Sequence, residues 1–210
     1  MGTLGPLSLP EAMAVIEGPR VDAHELVFLG LLELVARGSA AVVNVREKDG
    51  DEYALAPRDR DRLVARPLLS LFDVLVEGRA ESPQARIEHA PSKYANRRWA
   101  VRWGSAETYV RKEVWTSLEA RGLLSTKPTA WDMFVIYAWH LTESGEAERQ
   151  RLRAAVPSHE DWRLRPATTL LVLHGLPVPS DDTFEAVDEV EDLITPGVKY
   201  DPLDAWNYGP

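Results

Sequence analysis

Between Asp22 and Gly38 the chain places Leu26, Leu29, Leu31, Leu32, Leu34 and Val35 around most of a helix, so this segment cannot lie on a surface. A helix of that kind needs neighbours on several sides, and the rest of the 210 residues must supply them. Asp22 is an N-cap with Glu25 at the third helical position, and Gly38 can leave the helix in the left-handed conformation. A shorter helix precedes it: Ser8 and Glu11 form a capping box, Pro10 suits the first turn, and Gly18 ends it. The length and the 45% hydrophobic content fit one globular domain, or two small ones sharing a core, with enough chain to bury a sizeable core.

After Gly38 the apolar period shortens toward two. Ala41 to Val45 and Glu52 to Ala56 flank Lys48-Asp49-Gly50-Asp51, which predicts a β-hairpin. A charged stretch, Arg58 to Arg62, leads to a third helix over about Pro67 to Val76, with Gly78 as its stop, and residues 79–104 read as less regular. Ser105 then caps a helix running through Val110, Val114, Trp115 and Leu118 to Gly122. Thr129 and Asp132 start another, Glu146 to Ala155 is polar and helical, and Ser158 and Asp161 precede an apolar helix over Ala167 to Leu173. Leu34-Val35-Ala36-Arg37-Gly38 recurs as Leu118-Glu119-Ala120-Arg121-Gly122, each followed by a short apolar stretch. A helix closed by Arg-Gly and followed by a strand is the second half of a winged-helix unit. The expected fold is mainly α with short β-hairpins (α+β). Winged-helix-like units fall at about 8–57 and 67–127 and a helical extension over 129–175, all in one compact domain, 1–179.

The formal charge of −9 is unevenly distributed. Ser180 to Pro210 holds nine acids against Lys199, a local −8, which leaves −1 for everything before it. Residues 180–210 therefore read as an acidic tail with apolar and aromatic partner-binding candidates at Phe184, Leu193, Tyr200, Trp206 and Tyr208. The complementary segment lies earlier. From Lys93 to Lys112 there are six bases, Lys93, Arg97, Arg98, Arg102, Arg111 and Lys112, against Glu107, with Tyr94, Trp99, Trp103 and Tyr109 among them. Such a mixture suits an anionic membrane surface or nucleic acid. The competing reading is structural: Trp99 and Trp103, four apart, anchor the segment on the core while the arginines lie over acidic neighbours. A tail docked on 93–112 would screen its charge, and the same contact between two chains would make a homodimer.

Catalytic and metal chemistry find little support in the sequence. There is no Gly-rich phosphate loop, no His-Glu-x-x-His pair and no Gly-x-Ser-x-Gly elbow, and the five histidines lack ligand spacing. Without cysteine there are no disulfides or thiolate sites, and no cofactor is expected. The longest apolar-rich run, Leu26 to Ala36, is interrupted by Gly30 and Glu33 and falls short of the ~20 residues of a membrane span. The start of the chain lacks the basic and apolar regions of a signal peptide, so a cytoplasmic location is expected, at most peripheral to a membrane.

Three segments together resemble the Golgi phosphoprotein family of peripheral membrane adaptors: Leu7-Ser8-Leu9-Pro10-Glu11-Ala12, Leu31 to Gly38, and Val110-Arg111-Lys112 through Leu118 to Thr126. The resemblance spans roughly Leu7 to Tyr137 and implies a mostly helical fold. The eukaryotic family recognises a phosphoinositide headgroup through a Trp and three Arg. The matching positions here are near Gly18, Val27, Thr108 and Arg111, so only Arg111 is retained and headgroup specificity does not carry over. The function expected is that of a non-enzymatic adaptor or scaffold, binding a protein partner or itself through the tail and an anionic surface through 93–112. The alternatives are a winged-helix DNA-binding regulator using the 93–121 region and an enzyme of unrecognised class.

Overall fold

The computed structural model describes residues 6–18, 21–47, 50–81, 92–125, 139–157, 162 and 164–195. Helix α1 (Leu9–Glu17) lies at the centre, with every residue from Leu9 to Ile16 buried, Pro10 and Glu11 included. A helix with no face to solvent must find partners for its terminal N–H and C=O groups inside the protein. At its start Glu33 accepts the Leu9 N–H at 2.6 Å, and Glu11 accepts the Ser8 N–H at 2.8 Å, as the capping box predicts. At its end Arg149 and Arg153 donate to the carbonyls of Val15 and Ile16, both at 2.9 Å.

Helix α2 (Ala23–Ala36) packs on α1 and is buried as its sequence requires, with the Asp22 carboxylate accepting the His24 N–H at 2.9 Å. Strands β1 (Ala40–Glu47) and β2 (Gly50–Pro57) form the expected antiparallel hairpin, from Ala40↔Pro57 to Glu47↔Gly50. Helices α3 (Arg66–Glu81) and α4 (Ser92–Arg102) follow. The next helix, α5, covers 106–120 as α-helical Ala106–Tyr109, π-helical Val110–Trp115 and α-helical Thr116–Ala120. A two-residue pairing of β3 (Leu124–Ser125) with β4 (His140–Leu141) precedes α6 (Glu143–Ala155), α7 (Pro166–Leu173) and α8 (Asp181–Ile194). The described chain is thus mostly helical with two small antiparallel pairings, an α+β fold. The helix expected from Thr129 lies outside the described residues.

Two boundaries differ from the sequence reading. Gly78 does not stop α3, which runs on to Glu81, and residues 92–102 are a regular helix instead of an irregular stretch. The two helices cross at Gly78. At Gly78 the backbone of α4 passes so close that a Cβ would stand 2.7 Å from Ala95 N and 2.8 Å from its Cα. Glycine is there for a helix crossing, not for a turn.

The third difference concerns residues 180–210. Ser180 caps α8, its side chain accepting the Thr183 N–H, and the helix buries Val187, Val190 and Ile194 in the common core. It packs on α4, α2 and the β-hairpin, so 181–194 is part of the domain and not a detachable tail. Acids on one face and aliphatics on the other read alike for a docked helix and a solvated strip, which is why sequence alone misplaced the boundary.

Two outcomes are expected. Gly78→Ala forces α3 and α4 apart, because the obstructing atoms are backbone, and lowers stability by about 1–3 kcal/mol in a urea melt. Truncation after Ser180 strips three buried aliphatics worth roughly 1.5–3 kcal/mol each, a sum comparable with the whole stability of a domain. The shortened chain should lose its cooperative thermal transition by circular dichroism.

Candidate functional site

The basic, aromatic segment divides by depth. Trp99 is 1% and Trp103 6% exposed, and with fully buried Tyr109 they form a cluster whose ring centroids lie 4.7–5.4 Å apart. These tryptophans are therefore core anchors and not surface binding residues, because residues four apart on α4 share the face turned inward. The opposite face carries exposed Arg97, half-buried Arg98 and Arg102, and Val101, which is 82% exposed. Arg98 and Arg102 each approach Glu77 of α3 at 3.9 Å, Arg97 stands 5.7 Å from the Tyr94 ring, and Arg102 5.1 Å from that of Trp103. Asn96, Ala100 and the two Arg at 97 and 98 border a shallow concavity beside Val101. Lys93 falls in the first turn of α4, its side chain outside what is described, while Arg111 and Lys112 are exposed on α5.

The residues proposed for partner binding in 180–210 separate in the same way. Phe184 turns toward its own chain, half-buried with its ring centroid 6.4 Å from that of Phe28, because it shares the inward side of α8 with Val187. Leu193 is exposed. Tyr200, Trp206 and Tyr208 lie outside the described residues. Contact between α8 and α4 is present: the Asn96 amide donates to the carbonyls of Leu193 and Ile194 at 3.1 and 3.0 Å.

Beneath α4, the π-helical turn of α5 holds Glu113, a buried carboxylate that sequence reading missed. It accepts from Arg66 Nε and Ser70 Oγ, both at 2.9 Å, and from Trp103 Nε1 at 3.3 Å. One carboxylate thus joins α3, α4 and α5, and it fixes which side of α4 faces outward. The Tyr109 hydroxyl, donating to the Pro67 carbonyl at 3.3 Å, is pushed well above the usual tyrosine range by burial and then by the Glu113 charge.

A second concave feature lies where α2, α5 and α7 end. Each helix closes on a basic residue followed by a left-handed glycine: Arg37-Gly38, Arg121-Gly122 and His174-Gly175, with φ of 70°, 71° and 64°. Each glycine N–H and the next one turn back to the helix, as in Ser39 N to Leu34 O and Leu123 N to Leu118 O. The repeat seen in the sequence is therefore this capping geometry, occurring three times. All three basic residues line one cleft of about 520 Å³, together with Arg151 and Glu148 of α6. Hydrocarbon lining comes from Leu7, Leu123, Leu152 and Leu173.

Buried carboxylates position two of these bases. Arg37 Nε and Nη2 donate to Glu33 Oε1 at 2.8 and 2.6 Å, and Arg121 Nη1 reaches both oxygens of Glu11 at 3.3–3.4 Å, with Ser117 Oγ donating to Glu11 at 2.7 Å. Burial raises the Glu33 carboxyl above its ordinary range against the Leu9 N–H and Arg37, which lower it. Arg151 donates to Glu148 at 2.8 and 2.5 Å and holds that carboxyl low. A charge inside an otherwise apolar helix, such as Glu33 in Leu31 to Val35, was the available signal that a buried partner exists.

His24, Glu191 and Thr195 bring together the residue types of a nucleophilic triad. Their connectivity is different: Glu191 at 2.8 Å and Thr195 Oγ1 at 3.3 Å both meet His24 Nδ1, and Thr195 Oγ1 also donates to Glu191. A relay needs the acid and the hydroxyl on opposite ring nitrogens. This buried network ties α8 to α2 instead. Among the described residues no group of three His, Asp or Glu is placed to hold a metal ion, and no helix is long and apolar enough to cross a membrane.

Compared with protein-family models, curated protein sequences and solved structures, the chain matches none.

One ionisable group outside these networks gives a pH signature. Glu25 is raised from 4.5 to about 7, first by burial, then by the charges of Asp22 and Glu17. Between these values the folded chain keeps a proton that the unfolded chain has released. Its stabilising contribution is complete below about pH 4.5 and is lost as pH rises through about 7. Glu25→Gln should flatten this part of the pH–stability profile and be more stable than the parent above pH 7 by about 1–2 kcal/mol, read from urea midpoints across the range.

Proposed function

We propose that the protein is a non-catalytic adaptor that sits on an anionic membrane surface through the outward face of α4. The observation that carries this reading is the placing of an almost fully exposed Val101 among Arg97, Arg98 and Arg102, with the aromatic face of the same helix locked inward. A lone exposed aliphatic is tolerated in water, as at Val64; Val101 differs in standing amid guanidinium groups. It is well matched to the headgroup region of an acidic bilayer, where bases meet phosphate and carboxylate and a short apolar side chain enters the boundary. The resemblance to the Golgi phosphoprotein family supports the same reading. The proposal also reads α2 with the β1–β2 hairpin, and α5 with β3, as two winged-helix-like units, for which the matching Arg-Gly closures speak.

On this reading α8 serves as a brace for α4, through Asn96 and the apolar contacts beneath it. Glu77 leaves the face with a modest positive charge, suited to reversible attachment that salt weakens. Co-sedimentation with phosphatidylcholine vesicles, with and without phosphatidylserine, tests it. Binding is expected only to the serine-containing vesicles, falling as salt rises, and weakened by about tenfold or more in an Arg97→Glu, Val101→Glu double variant of unchanged melting temperature. Equal binding to both vesicles, or a double variant that binds as the parent does, overturns the proposal. Tight duplex DNA binding with a steep salt slope and no vesicle binding would establish the regulator reading in its place.

A further inference from the structure

We infer that the cleft at the ends of α2, α5 and α7 binds a small amphiphilic anion, with a carboxylate or phosphate monoester head on a short hydrocarbon body. The cleft is separate from the α4 face and the inference does not depend on the adaptor reading.

Guanidinium capacity is the first support. Arg37 uses Nε and Nη2 on Glu33, and Arg151 uses Nε and Nη2 on Glu148, so in each case Nη1 keeps its hydrogens with no bond among the described residues. Both groups are oriented by a carboxylate behind them, which lowers the entropy cost of receiving a ligand. His174 adds a third polar edge. Its Nδ1 lies 2.8 Å from the Leu170 carbonyl and must donate there, so Nε2 is an acceptor for a ligand hydroxyl in the neutral ring and a donor to a ligand oxyanion only in the imidazolium.

Other groups meet part of the demand that the helix ends would place on these bases. The carbonyls of Leu34 and Val35, of Leu118 and Glu119, and of Leu171 and Val172 are engaged by the glycine-cap N–H groups and do not compete for the guanidinium donors. Glu33 and Glu11 also accept N–H groups of the first turn of α1, which divides their hold on Arg37 and Arg121. Glu148, the acid in the cleft, is engaged by Arg151 and sensed by Arg121.

Shape decides against a bare inorganic anion. A cleft of about 520 Å³ falls in the range of small-molecule sites, and its lining includes Leu7, Leu123, Leu152 and Leu173, which offer an oxyanion nothing. A ligand that satisfies both the basic and the apolar lining carries charge and a few methylenes.

Calorimetric titration of the full chain with octanoate, octyl phosphate, octanol and inorganic phosphate tests the inference. At least one of the two amphiphilic anions is expected to bind at one site per chain, about tenfold or more tighter than octanol or inorganic phosphate. Tighter octanoate identifies a fatty-acid type ligand and tighter octyl phosphate a phosphorylated one, and either result supports the site. Arg151→Gln, which removes an exposed ion pair and leaves the fold intact, should weaken the preferred anion by about tenfold. Ala155→Trp, which fills the cleft from its rim, should abolish binding. Failure of both anions to saturate, octanol binding as well as they do, or affinity unchanged in both variants overturns the inference.

Discussion

A helix buried from Leu9 to Ile16 dictates much of this structure. Because α1 turns no face to water, neither of its ends can be left to solvent, and each must be closed by groups that the helix does not contain. Glu33 comes from α2, Ser117 and Arg121 from α5, and Arg149 and Arg153 from α6, so four helices are fixed in mutual position by the two ends of one. Apolar packing alone would let these helices slide. The hydrogen bonds to the α1 backbone and capping box set the register.

The charges inside the protein belong to this arrangement. Glu11, Glu33 and Glu113 each sit where several helices meet, and each accepts three or more bonds. A buried carboxylate so surrounded contributes little as an isolated pair but penalises any packing in which its donors are lost. The same device at α4 gives that helix two distinct sides, with Trp103 held on Glu113 and Val101 turned outward.

Much of the local structure was legible in the sequence. Ser8 with Glu11, Asp22, Ser105 and the glycines at 38 and 122 mark helix ends through groups only a few residues apart, and all of these appear where the spacing puts them. What depends on distant partners was not legible. Gly78 reads as a stop unless Ala95 is known to cross it, and the acidic face of α8 conceals that its other face closes the core. Trp99 and Trp103 carried two readings because a base-rich helix with aromatics four apart looks alike whichever face is buried. The three basic caps could be found from the repeated basic-Gly ending, but their meeting in one cleft could not, since that follows from the positions of α2, α5 and α7 around α1.

The closure of α1 also has a consequence in time. The partners of its last carbonyls lie 134 and 137 residues further along the chain, and that of its Glu11 side chain as much as 110. Synthesis runs from the N-terminus, so α1 leaves the ribosome long before the partners that complete it, and until Arg153 emerges its apolar surface and last carbonyls stay without their native cover. Contacts so distant in sequence slow folding and lengthen the exposure of a nascent chain. The segment most central to the finished protein is thus the one most in need of protection while the protein is being made.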